Sequence, residues 1–203
     1  MYIYNDPDDD AYFNETSRSH PWSWSESDPA NRYVDFRSHP ELIEESLEDF
    51  KPFSDRSAIR KFYNLVRLLN GSKSTLETND AGFRGPYPNV TPQVDRKLET
   101  RGRLTIFYRD LSQNTRPEII QGLCNSLVEK ISIAEPNLRL GCVAYSRWPH
   151  RFTALSAQSL PTDGDIVVLT FWSWGNDDDE TFANLDRVMQ VLKNALRAVG
   201  RPP

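Results

Sequence analysis

Three groups of residues in this chain have types and spacings that could do chemistry. The first is Tyr145-Ser-Arg-Trp-Pro-His-Arg151. His150 belongs to the residue type that titrates near neutrality, and Arg147 and Arg151 flank it with guanidinium groups shaped for a phosphate or a carboxylate. A general acid or base acting on an anionic small molecule is the chemistry such a stretch could support. It would need an exposed turn and a carboxylate partner, for which Glu77, Asp80 and Asp110 are the options. The plainer reading is a surface histidine on a strand connector.

The second group alternates arginine with aromatic residues on expected strands. Leu104, Ile106 and Tyr108 point one way, leaving Arg103, Phe107 and Arg109 on the other side. If Leu138, Leu140 and Cys142 face the helices, Arg139, Val143, Tyr145 and Arg147 face away, joined by Trp172 and Trp174. Aromatics set among arginines on a sheet can stack and hold a single-stranded nucleic acid or a nucleotide. Over six residues, Ile106-Phe-Tyr-Arg-Asp-Leu111 resembles the first strand motif of RNA-recognition domains. The second motif is not found in the strand that begins at Asp165, and the last helix is longer than in that family. The competing reading places this face under N-terminal helices, with its arginines at the rim.

The third group is the tryptophans: Trp22 and Trp24 near the start, Trp148, and Trp172 and Trp174 in a second Trp-Ser-Trp. Tryptophan is enriched where proteins bind proteins. The alternative is that the two pairs pack on one another.

Other chemistries find no support. His20, His39 and His150 are far apart, and Cys124 and Cys142 lie in apolar patterns, so no metal-ligand spacing exists and both thiols read as buried. The phosphate loop, the dinucleotide glycine pattern, the nucleophile elbow and His-Glu-x-x-His are all missing. No cofactor is expected. Mean hydropathy is −0.62 and no apolar run reaches membrane-spanning length. The first residues lack the basic and apolar regions of a secretory leader. A cytoplasmic protein is the expectation. Net charge is −5 over 203 residues, unevenly spread, with net −9 in residues 1–56 and net +5 in residues 96–160. The basic block could attract an anion or dock the chain's own acidic beginning.

The elements that must position these groups are organised around Asp165–Trp174, a run of β-branched and aromatic residues apolar on both faces, which predicts a central strand covered on both sides. Phe182, Leu185, Val188, Met189, Leu192, Ala195, Leu196 and Val199 form one helical stripe behind it, and Asp177 to Glu180 cap its start. Earlier, a Thr115-x-x-Glu118 box opens a helix whose apolar face runs from Ile119 to Ile131, and Ser38-x-x-Glu41 is another such box. Ile59, Phe62, Tyr63, Val66 and Leu69 make the stripe of a further helix ending at Asn70-Gly71. Thr75 to Asp80 suits an edge strand, and Gly82–Pro92 suits a connector.

These elements predict an α+β fold: a four-stranded antiparallel or mixed sheet with two long helices on one face, in ferredoxin-like or split β-α-β style. Residues 1–95 would form an irregular and helical extension packed on a strand-helix-strand-strand-helix core at 96–203, with the N-terminal helices over the sheet's second face. The expected function is a non-catalytic protein-binding module of inhibitor, immunity or adaptor type, using aromatic and acidic surface. The alternatives are the sheet-face nucleic-acid or nucleotide binder and the small enzyme near His150.

Overall fold

The structure, a computed structural model, describes residues 1–6 and 34–200. The fold is α+β around a single mixed sheet of five strands: β1 (Tyr2–Asn5), β2 (Leu76–Pro88), β3 (Leu98–Tyr108), β4 (Gly141–Arg151) and β5 (Asp163–Gly175). Their spatial order is β1-β4-β5-β3-β2, with β1 parallel to β4 and every other pair antiparallel. The strand expected at Thr75 is therefore present at an edge. It continues to Pro88, through most of the expected connector, and pairs with β3. The fifth strand, β1, was not expected, because four residues are too few to show a period.

Among the described residues, five α-helices accompany the sheet: α1 (Ile43–Ser46), α2 (Ser57–Asn70), α3 (Leu111–Asn114), α4 (Pro117–Ala134) and α5 (Asp178–Val199). The expected stripe of α5 is buried from Phe182 to Leu196, and Val199 is half-buried. Its N-terminus is capped by Asp177, whose Oδ1 accepts from the Glu180 N–H at 2.8 Å, while Glu180 Oε2 accepts from the Asn176 N–H at 2.7 Å. The other two boxes do not cap. Ser38 Oγ donates to Asp35, Thr115 Oγ1 donates to the Ser112 carbonyl, and neither helix start receives a side-chain bond.

One apolar core joins α2, α4 and α5 to Leu104, Ile106, Val143, Val167, Leu169 and Phe171 of the sheet. Phe62 of α2 lies 5.9 Å from the Phe171 ring, and Phe50 stacks between Phe62 and Phe83. The N-terminal helices thus share the face that α4 and α5 cover, and do not roof the second face as expected. The reason is available apolar surface: α2 can bury its stripe against α5 and the aromatic cluster Phe50, Phe83 and Phe171 on that side.

On the second face, one half is covered by a separate small core of Phe107, Leu111, Phe152, Leu155 and Ile166, built by α3 and the 3-10 turn Thr153–Gln158. Among the described residues, no helix is long and apolar enough to cross a membrane.

Candidate functional site

Strand pairing lines up side chains into rows, because residues directly opposite each other in a sheet share a face. One row crosses all five strands of the second face: Arg84 (β2), Arg101 (β3), Trp172 (β5), Cys142 (β4) and Tyr2 (β1). Every member is at least partly accessible, and Tyr2 is 69% exposed. The next row is Gly82, Arg103, Thr170, Ala144 and Tyr4, with Tyr4 45% exposed. Each row carries an arginine on β3 and ends in a tyrosine on β1.

The arginines are held by rings. The Arg101 guanidinium lies 5.2 Å from the Trp172 ring, Arg84 4.5 Å from Tyr87, and Arg103 5.9 Å from Trp148. Arg103 also pairs with Asp80 at 2.5 Å. A concavity of about 260 Å³ opens between them, lined by Gly82, Arg84, Arg101, Arg103, Trp148 and Thr170. Burial and a hydrogen bond with Glu99 push the Tyr87 phenol up to about 12, so it stays neutral beside Arg84. Burial, with the Glu99 charge nearby, pushes the Cys142 thiol up to about 12, which makes it a poor nucleophile.

The residues expected from sequence to contact an anion or nucleic acid are scattered. Phe107 is buried in the small core. Arg109 donates to the Asn70 and Gly71 carbonyls at 3.2 and 3.1 Å, closing the end of α2, and lies 3.4 Å from Glu77. Arg139 is exposed in the loop before β4. Tyr145 and Arg147 project to the helix side, where Tyr145 packs on the main core. Arg151 pairs with Asp163 across the β4–β5 ladder at 2.8 Å. His150 sits inside β4 rather than in an exposed turn, 5% exposed and edge-on to Phe152 at 4.8 Å.

The misassignment in β4 has one cause. Leu138 reaches the core from the loop, and the strand begins only at Gly141, whose missing side chain leaves space for Val188 of α5; a Cβ there would lie 2.4 Å from Val188 Cγ2. Counting alternation from Leu138 therefore assigns Cys142 and Val143 to the wrong faces, and a one-residue slip inverts every later residue. Within β3 the expected parity holds, with Leu104 and Ile106 toward the helices and Arg103 and Phe107 away.

Of the tryptophans, Trp172 and Trp148 belong to the site. Trp174 is 5% exposed and donates from Nε1 to Glu99 Oε2 at 3.1 Å, an oxygen that also accepts from Thr91 Oγ1 at 2.8 Å. Glu99 thereby links Thr91 of the 89–97 loop to Trp174 of the sheet. Trp22 and Trp24 lie outside the described residues. The sequence signal for the missed members, Tyr2, Tyr4, Arg84 and Arg101, was weak. Tyr-x-Tyr at 2–4 and Arg-x-Arg at 101–103 have strand spacing, but only pairing shows that both pairs share a face.

Charge also gathers around the buried Glu77, 1% exposed, with Arg37 and Arg109 each 3.4 Å away. Burial outweighs both guanidiniums and pushes its carboxyl up to about 7. Among the described residues, no group of three or more histidine, cysteine or carboxylate side chains could hold a metal ion. In comparisons with protein-family models, curated proteins and solved structures, nothing matches this chain.

Proposed function

We propose that this protein is a non-catalytic binding module that docks another protein on the second face of its sheet. The observation that carries the reading is the row Arg84–Arg101–Trp172–Cys142–Tyr2, accessible from one edge of the sheet to the other. Tyrosine, tryptophan and arginine are the residues most enriched among those that dominate protein–protein binding energy. They stand on strands rather than loops, so the surface is preformed and loses little freedom on docking. An inhibitor, immunity or adaptor role suits a rigid face of this kind. Its charge differs from the expected one: the aromatic residues are set among arginines, not acids. Cys124 and Cys142 are both free thiols, which suits a reducing compartment such as the cytoplasm.

The test is capture of a partner from native extract by the wild-type protein and by Trp172→Ala and Tyr2→Ala, followed by affinity measurement with the purified partner. Truncating a residue at the centre of such a face costs about 2 kcal/mol or more. A drop of at least about tenfold is therefore expected for Trp172→Ala. Unchanged affinity for both variants would remove the face from the interaction.

A second reading keeps one specific support. Trp172 and Tyr2 could stack bases while Arg84 and Arg101 hold phosphates. Binding of an oligonucleotide that weakens steeply with salt is its mark.

A further inference from the structure

Arg84 and Arg101 stand directly opposite each other on β2 and β3. Like charges in that position repel, and sheets ordinarily avoid them or neutralise them with a carboxylate. Arg103 next to them is neutralised by Asp80. Among the described residues, neither Arg84 nor Arg101 has a carboxylate within ion-pair distance; their contacts are the rings of Tyr87 and Trp172. Two guanidiniums without an ion-pair partner among the described residues therefore border the concavity of about 260 Å³. Two more of its lining residues carry buried donors that find no acceptor among the described residues, Arg103 Nε and Trp148 Nε1. Both nitrogens are buried, so the donors that an oxyanion can reach are those of the exposed Arg84 and Arg101.

We infer that this concavity is a socket for the carboxylate side chains of an acidic segment on the partner protein. The inference rests on the docking reading above and specifies its chemistry. Charge decides between an acidic polypeptide and a nucleic acid. The whole chain carries a net charge of −5, and the basic site amounts to two guanidiniums that have no ion-pair partner among the described residues. A polyphosphate strand gains affinity by releasing counterions from many phosphates, which needs a broad basic surface. One or two carboxylates need only the two arginines, whose planar forks match them bidentately.

The experiment uses the full chain and two labelled probes of equal length, an oligoglutamate peptide and an oligothymidylate, followed by fluorescence anisotropy as salt is raised from about 50 mM to about 200 mM. The peptide is expected to bind at the lower salt. Arg84→Glu and Arg101→Glu should each weaken it by about tenfold to a hundredfold, the loss expected for one charge-assisted pair. Arg139→Glu, at an exposed position outside the site, should leave it unchanged. Both socket arginines are exposed, and melting curves check that the variants remain folded. If the oligothymidylate binds more tightly than the peptide with the same arginine dependence, the inference is overturned in favour of nucleic acid. Failure of the peptide to bind, or binding indifferent to both arginines, also overturns it. Partner capture with Trp172→Ala is scored separately, so a failed socket and a failed docking face give different results.

Discussion

Single residues decide how closely the layers of this molecule approach. Gly102 on β3 lies opposite Phe171 on β5, and a Cβ there would sit 2.2 Å from two atoms of the Phe171 ring. The ring occupies the space that a side chain at 102 would need, and Phe62 then packs on it from α2. Gly102→Val should destabilise the protein by about 1–3 kcal/mol, as overpacking does. The urea midpoint checks this, and an unchanged midpoint would mean that the ring yields freely. The same scale shows why Trp174 and Trp172 differ although both project from β5 to the same side. Trp174 has Glu99 as a buried acceptor and is used up in the fold, whereas Trp172 is half-buried with the Arg101 guanidinium over its ring. Nothing in Trp-Ser-Trp separates them; a partner 75 residues away in the chain does.

At the level of elements, helix ends and stripes were legible to different degrees. The stripe of α5 and its acidic cap are local, and both are where the pattern puts them. Asp177→Ala should cost about 1 kcal/mol of stability, since the Glu180 N–H then loses its acceptor; equilibrium denaturation followed by circular dichroism measures it. The boxes at Ser38 and Thr115 match the same pattern, but each hydroxyl is taken by a neighbouring oxygen and the helix begins later. For α2, the buried face was evident and its position was not. Its stripe specifies that Phe62 is buried without saying against what, and the structure puts it on the helical face beside α5. Phe62→Ala should therefore destabilise the whole domain by about 3–5 kcal/mol. A loss of α2 that left the rest of the sheet's transition unaltered would contradict that placement.

For the whole molecule, the distribution of charge links stability to pH. Glu77 is buried beneath Arg37 and Arg109, and its carboxyl is raised from 4.5 to about 7 by burial. A carboxyl raised on folding makes the folded state bind more protons than the unfolded one between these two values. Stability therefore falls as pH rises from 4.5 to about 7. Glu77→Gln removes this contribution, so its melting temperature should decline less over that range than the wild type's; parallel profiles would show that Glu77 does not titrate there. The candidate site also exists only at this scale. Its row draws one residue from each of five strands, spanning Tyr2 to Trp172. By itself, the sequence determined what depends on neighbours in the chain: the α+β class, the central apolar strand, the stripes of α2, α4 and α5, and the parity within β3. Only the tertiary structure decided which layer α2 joins, where β4 begins its alternation, and that Tyr2 and Arg101 look out from the same surface. The physical reason is that periodicity orients a side chain relative to its own element, whereas strand order and layer choice follow from distant apolar surfaces finding one another.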